Sequence, residues 1–357
     1  MTYTYQQLRQ FILNTCNRMG CSDEHANITA DVLMTAELRN ISSHGVSRLK
    51  DYVNLWQSNR INTKPEIKII HETLSTGVID GDAGLGMVIG KSAMQLAIYK
   101  AQNVGTGWVA VRNSNHFGIA GYYAMMALQH DMIGICMTNA NPLVAPTFSI
   151  DRLLGTNPIA VAIPEGNHPP FVADFATTPI ARGKLDIMHK KEIKAPEGYV
   201  QDKSGKSSND PNILTQGGAI VPLGGDYLHG SHKGYCLGAI VDIFSAILSG
   251  ANFGPFVPPS VAFLPVLENT EGIGTGHFFG AMRIDAFQKA DDFKLQMDRW
   301  IDTFKNAKTI DGQENVIIPG EPEREWEQIR MRDGIPVLDK VVMDLQQIAI
   351  DLGIDKL

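Results

Sequence analysis

The chain has 357 residues, 44% of them hydrophobic and 19% charged, with a formal net charge of −7 at pH 7. That length can bury a large core in one domain or two, and the acidic balance argues against a nucleic-acid partner, which calls for a basic surface. No run of about 18 apolar residues is present to span a membrane. The first residues lack the basic and apolar regions of an export signal. Cys16, Cys21, Cys136 and Cys236 form no CxxC pair and are expected as buried thiols in a reducing cytoplasm.

Leu8, Phe11, Ile12 and Thr15 at helical spacing predict a helix over 4–19, with Gly20 as its stop. Ser22, followed by Asp23 and Glu24, opens a second helix with Ile28, Val32, Leu33 and Ala36 on its apolar face. Next comes Ile41-Ser-Ser-His44-Gly-Val-Ser-Arg48, and a helix resumes over 49–56. His44 and Arg48 are four apart at a helix start, so they share one face. Arginine can fork both oxygens of a carboxylate, and His44 beside it can donate a hydrogen bond or a proton. The plainer alternative is a solvated capping turn with a surface arginine.

Strands are expected over 67–70 and 76–80. Gly81-Asp-Ala-Gly84-Leu-Gly86-Met-Val-Ile-Gly90 then opens a helix to about Asn103. Strand, glycine spacing and helix imitate a dinucleotide phosphate loop. The next strand, 108–111, ends in Arg112-Asn113 and not in an acid for the ribose, which favours a tight strand-to-helix turn instead. That strand leads through Asn113-Ser-Asn-His116-Phe-Gly118 into a helix over 122–129. A histidine at the exit of a buried strand is held rigidly yet reaches a cleft, and imidazole titrates near neutrality. His116 is therefore a candidate acid/base; the alternative is a histidine satisfied within its own loop.

Strands over 133–138, 159–163 and 171–173 repeat one design, with polar turns at Asn139-Ala-Asn-Pro142, Gly155-Thr156-Asn157-Pro158 and Asp174-Phe-Ala-Thr. Three such edges suggest one cleft. Asp174 would hold a ribose hydroxyl pair, polarise a histidine or cap a helix. Residues 184–230, with the basic run 189–191, read as an irregular surface excursion. His229-Gly-Ser-His232 lacks a third ligand, so no metal is expected. Lys233 opens the strongest predicted helix, 237–248, and a lysine at a positive helix N-terminus suits a pyrophosphate; otherwise it is an ordinary exposed lysine. A glycine-rich turn and strand over 274–285, an amphipathic helix over 287–306, a strand at 315–319 and helices over 323–332 and 338–352 complete the chain.

Ser43-His44-Gly45…Arg48, Asn115-His116, Gly155-Thr156-Asn157-Pro158, Asp174-Phe-Ala-Thr and Lys233-Gly234-Tyr235, in this order, resemble the malate/L-lactate dehydrogenase family of non-Rossmann oxidoreductases. The resemblance covers nearly the whole length. It implies an α/β fold with a mixed, largely antiparallel sheet over 71–286, plus a helical domain built from 1–70 and 287–357. It implies a homodimer that moves hydride between NAD or NADP and a 2-hydroxy acid. His116 matches the family's acid/base, with His44 competing for that role. Ser43, Arg48 and Asn139 fall toward the substrate, Arg48 as carboxylate clamp. Thr156, Asp174, Phe175, Ala176, Lys233 and Gly234 match the cofactor segments, and Gly312 lies where a further cofactor contact falls. The residues themselves leave three other readings open. These are a reductase of cyclic 2-imino acids, a metal-free hydrolase using Ser43, His44 and His116, and a non-catalytic dimer that binds an organic acid.

Overall fold

The computed structural model describes residues 1–357, the side chain of Lys190 excepted. A short strand β1 (Thr2–Tyr3) leads into α1 (Tyr5–Arg18) and α2 (Asp23–Leu38). Thr4 caps α1 in a capping box with Gln7, and Ser22 caps α2 by accepting from the His25 amide. Two single 3-10 turns, Ser42–His44 and Val46–Arg48, run directly into α3 (Leu49–Gln57). After these come β2 (Lys68–Glu72), β3 (Thr76–Asp80), α4 (Gly86–Val104), β4 (Thr106–Ser114), α5 (Ala120–Met126), β5 (Met132–Thr138), β6 (Ile159–Ile163) and β7 (Phe171–Phe175). The second half contains α6 (Arg182–Lys190), β8 (Val200–Gln201), β9 (Ser207–Ser208), β10 (Ala219–Ile220) and α7 (Ser231–Asp242). It ends with β11 (Thr275–Arg283), α8 (Ala290–Lys305), α9 (Glu321–Asp333), β12 (Ile335–Pro336) and α10 (Asp339–Leu352).

Seven strands form one sheet in the order β2-β3-β4-β11-β5-β6-β7. Only β3 and β4 run parallel, joined by α4; every other neighbouring pair is antiparallel. This is the mixed, largely antiparallel α/β architecture expected, and it is not a doubly wound nucleotide fold. β11 arrives from far along the chain and inserts between β4 and β5. Residues 275–281 of it are buried on both faces, as a central strand requires. Helices α4 and α5 cover one face of the sheet, and α2 packs on α4. On the other face Trp108 stacks on Phe278, which meets Phe244 edge-on.

Helices from the two chain ends meet: α1 packs on α2 and α10, α10 on α3, and α9 on α2, while β1 pairs with β12. Their apolar faces join the α4 and α5 face of the sheet in one core that includes Leu8, Leu33, Met94, Phe279 and Leu345. Continuous burial of this kind is the main stabilising term of such a chain.

Three expectations need correction. Residues 184–230 are not an irregular excursion. α6 and the small sheet β10-β8-β9 surround a second core of Leu185, Val200, Ile213 and Ile220, completed by Val144 and Leu154 from elsewhere. Strands of two residues are too short to show alternation, and part of the core is remote in sequence. The strand expected at 315–319 does not form. Pro319 only accepts one bond from the Val172 amide at 3.0 Å, and the left-handed Gly320 ends the segment. The helix expected over 237–248 is α-helical to Asp242 and widens into a π turn at Ile243–Ile247, with Ile247 and Leu248 each 58% exposed.

Candidate active site

The turn between α2 and α3 carries His44 and Arg48, and a buried acid holds it. Glu37, on the inner face of α2 and 1% exposed, accepts from the Val46 amide at 2.9 Å and from the Ser42 hydroxyl at 3.1 Å. Arg330 of α9 stands 3.6 Å from the same carboxylate and also donates to the Glu37 carbonyl. A Cβ at Gly45 would run into the Glu37 carboxylate, so only glycine lets the turn close over it. Burial pushes the Glu37 carboxyl up, opposed by the Val46 amide, the Ser42 hydroxyl and Arg330. Arg48 directs Nε to the Ser43 carbonyl at 2.8 Å and Nη1 to Asp51 at 3.2 Å. Its Nη2 edge is left for a ligand.

His116 is positioned by the exit loop of β4. Asn115 donates to the carbonyls of Ala83 and Gly84, each at 2.9 Å, tying the loop to the turn before α4. A Cβ at Gly86 would strike the carbonyls of Asn115 and His116. The glycine run that imitates a phosphate loop therefore lets the His116 loop pack onto the start of α4, where no room is left for a phosphate.

The two loops meet. The rings of His44 and His116 stack with centroids 5.5 Å apart and planes 24° apart. Tyr52 of α3 places its hydroxyl 2.8 Å from His116 Nδ1. Desolvation, and then the charge of Arg48, lower the His44 imidazole to about 4. The same two causes, followed by His44 and His277, hold His116 well below its ordinary range. His277 of β11 is fully buried between Thr138 at 2.7 Å and Ser114 at 2.8 Å, and desolvation lowers it to about 3. Both ring nitrogens are satisfied, so it is a neutral strut beneath the site. Ser43 Oγ lies 2.9 Å from His44 Nδ1, but among the described residues no carboxylate orients the second nitrogen of His44. The chain of nucleophile, base and orienting acid that a hydrolase needs is incomplete.

Of the residues expected at the cofactor, Thr156 and Gly234 are joined through Thr177 and Leu223. The Thr177 amide donates to Thr156 at 2.9 Å, the Leu223 amide to Thr177 at 2.9 Å, and Gly234 packs directly on Leu223. Asp174 accepts from the Gly121 amide at 2.8 Å, linking β7 to α5; desolvation lifts its carboxyl to about 6, partly offset by that bond. Phe175 and Lys233 are exposed, and no side chain caps α7, in whose first turn Lys233 stands. A carboxylate, an exposed aromatic and an uncapped helix start beside a lysine suit a dinucleotide. Gly312 is not gathered with them: it lies in an open loop, with nothing within 4 Å of its Cβ position. Asn139 also departs from its expected role. It is 2% exposed, and its side chain bonds Asp242, the Asn252 carbonyl and the Gly276 amide. That leaves it a strut. Tyr52 and Glu37 were not read from sequence. Tyr52 does continue the His44, Arg48 spacing by four more residues; an acid on the apolar side of α2 was the only sign of Glu37.

His44 and Arg48 from the α2–α3 turn meet His116 from the exit of β4, an arrangement suited to clamping a small carboxylate and exchanging a proton beside it, on a mixed sheet outside the doubly wound nucleotide folds. The chain belongs to the malate/L-lactate dehydrogenase family, whose model matches residues 3–346. It is 43% identical to malate dehydrogenase of Pyrococcus abyssi over 98% of this chain and 94% of that protein. It is 41% identical to L-sulfolactate dehydrogenase of Methanocaldococcus jannaschii over 97% of this chain and 96% of that one. The structure of malate dehydrogenase from Pyrococcus horikoshii superposes with a TM-score of 0.90 at 39% identity, covering 100% of this chain and 97% of that chain. The protein is thus an enzyme, a 2-hydroxyacid dehydrogenase, and the family implies a nicotinamide cofactor. The hydrolase and non-catalytic readings do not hold against this family. Among the described residues no helix is long and apolar enough to cross a membrane.

Proposed function

We propose that the enzyme interconverts a small 2-hydroxy acid, of the size of malate, sulfolactate or lactate, and its 2-oxo acid, with NAD or NADP. The observation that carries this reading is the convergence of Arg48, His44 and His116 at one cleft, with the histidine rings 5.5 Å apart. Arg48 takes the substrate carboxylate on its free edge, and Ser43 borders that site. His116 gives the proton that the oxo oxygen needs on reduction and takes it back on oxidation. His44, stacked beside it, donates a second hydrogen bond to the substrate. The bound nicotinamide supplies or accepts the hydride. Thr156, Asp174, Phe175, Ala176, Lys233 and Gly234 would hold it, with Lys233 on the pyrophosphate.

The exposed apolar side chains Ile240, Ile243, Phe244, Ile247 and Leu248 support a homodimer formed through this strip. All four cysteines are free, Cys16, Cys21 and Cys136 buried as expected and Cys236 exposed instead, and free thiols fit a reducing cytoplasm. The test is nicotinamide absorbance with NADH or NADPH and a panel of 2-oxo acids. Oxidation of either cofactor by one acid is expected. Failure of both cofactors to bind or react would remove the reading.

A further inference from the structure

Tyr52 lies one helical turn beyond Arg48, and its side chain is 2% exposed. Its hydroxyl meets His116 Nδ1 at 2.8 Å, and among the described residues it has no second partner. The two rings are 6.0 Å apart. The Gly118 amide donates to the same Nδ1 at 3.4 Å. Two donors aimed at Nδ1 leave the ring hydrogen on Nε2. No protein group meets Nε2 among the described residues, so that nitrogen faces the cleft.

We propose that Tyr52 is the positioning residue that holds the His116 ring in one orientation through its proton cycle, so that Nε2 alone exchanges protons with the substrate. This rests on the reading of His116 as the group that exchanges that proton. A carboxylate on Nδ1 would stabilise an imidazolium and raise its pKa. A phenol does not, and it can donate to Nδ1 of the neutral ring or accept from Nδ1–H of the cation. Desolvation holds the Tyr52 phenol well above its ordinary range, so it orients the ring without ionising.

The proton balance is then complete. The groups facing His116 are Arg48 and His44 from the turn, Tyr52 from α3 and His277 from β11. A substrate carboxylate on Arg48 cancels part of the charge that depresses His116, so one solvent proton binds Nδ1 with the anion, giving the imidazolium, and the Tyr52 hydroxyl turns from donor to acceptor. On reduction the Nε2–H bond breaks and the oxo oxygen takes that proton as the carbon receives hydride. The ring is left neutral with its hydrogen on Nδ1, held by the Tyr52 oxygen; when the product leaves, Nδ1 returns that proton to solvent and Nε2 takes one up, which restores the resting tautomer.

The test uses full-length protein with isotope-labelled histidine and compares Tyr52→Phe, which keeps the ring, with the unaltered chain. His116→Gln assigns the resonance, and thermal melting verifies that both variants fold. In the unaltered chain, NMR is expected to find His116 as one neutral Nε2–H tautomer. In Tyr52→Phe it is expected to find a tautomer mixture. The variant should lose about tenfold or more in kcat, with KM for the oxo acid changed less than about threefold and the pH profile of kcat/KM displaced. An unchanged tautomer with an unchanged pH profile would overturn the proposal. If the unaltered chain reduced no oxo acid, the dehydrogenation reading would fall, while the tautomer measurement would still decide the role of Tyr52.

Discussion

Arg48 spends Nε and part of Nη1 inside the protein, on Ser43 and Asp51, which leaves Nη2 as the edge proposed to clamp the substrate. A lysine cannot make both the internal bonds and a forked clamp. Arg48→Lys is therefore expected to raise KM for the oxo acid by about tenfold, roughly 1.4 kcal/mol, with a smaller change in kcat. Steady-state kinetics check this. The buried histidines add a pH dependence. His277, lowered to about 3 from 6.5, stays neutral in the folded chain where the unfolded chain already binds a proton. Stability is thus complete above pH 6.5 and falls as the pH drops through the window from 6.5 toward 3. The slope contributed by such a histidine is up to about 1.4 kcal/mol per pH unit. Denaturant unfolding at several pH values in this window should show that slope, and His277→Asn should flatten it.

The Ser42–Arg48 turn depends on α2 and α9 as well as on its own Ser42 and Gly45. Glu37 answers the Val46 amide and Ser42 hydroxyl, and Arg330 answers Glu37. Neutralising one member of a buried ion pair leaves the other uncompensated. Glu37→Gln is expected to destabilise the fold by about 3 kcal/mol, read in urea unfolding, and to raise KM by loosening Arg48. A variant as stable as the parent would show that Arg330 is satisfied elsewhere. The Gly81–Gly90 stretch shows how an element can mislead. Its glycines serve the approach of the His116 loop to α4, and the rest of the nucleotide fingerprint is absent.

The assembled chain joins its two ends and threads β11 between β4 and β5, so the site draws on residues 37 to 277 and on Arg330. One apolar strip on α7 and the π turn stays outside both cores. If it is the dimer contact, Leu248→Asp combined with Ile247→Asp buries two charges in that interface, and sedimentation should report a monomer. A dimer that persisted unchanged would exclude this strip as the contact.

The local signals in the sequence carry a physical mechanism that needs no distant partner. Thr4 and Ser22 cap helices, Gly20 ends one, and short apolar runs bounded by polar turns mark β3 and β5, because each depends on neighbours within a few residues. The motifs at His44, Arg48 and His116 were legible for the same reason, each being a polar turn at the end of an apolar element. Tertiary structure alone decided what those turns meet. The His44–His116 stack, the Tyr52 bond and the Glu37–Arg330 pair join residues 64 to 293 positions apart, or close across packed helices. It also withdrew Asn139 to an internal role, left Gly312 apart, and made a small core of the stretch that read as surface. Spacing within a chain records which face a side chain occupies, whereas what stands opposite is set by how the faces pack.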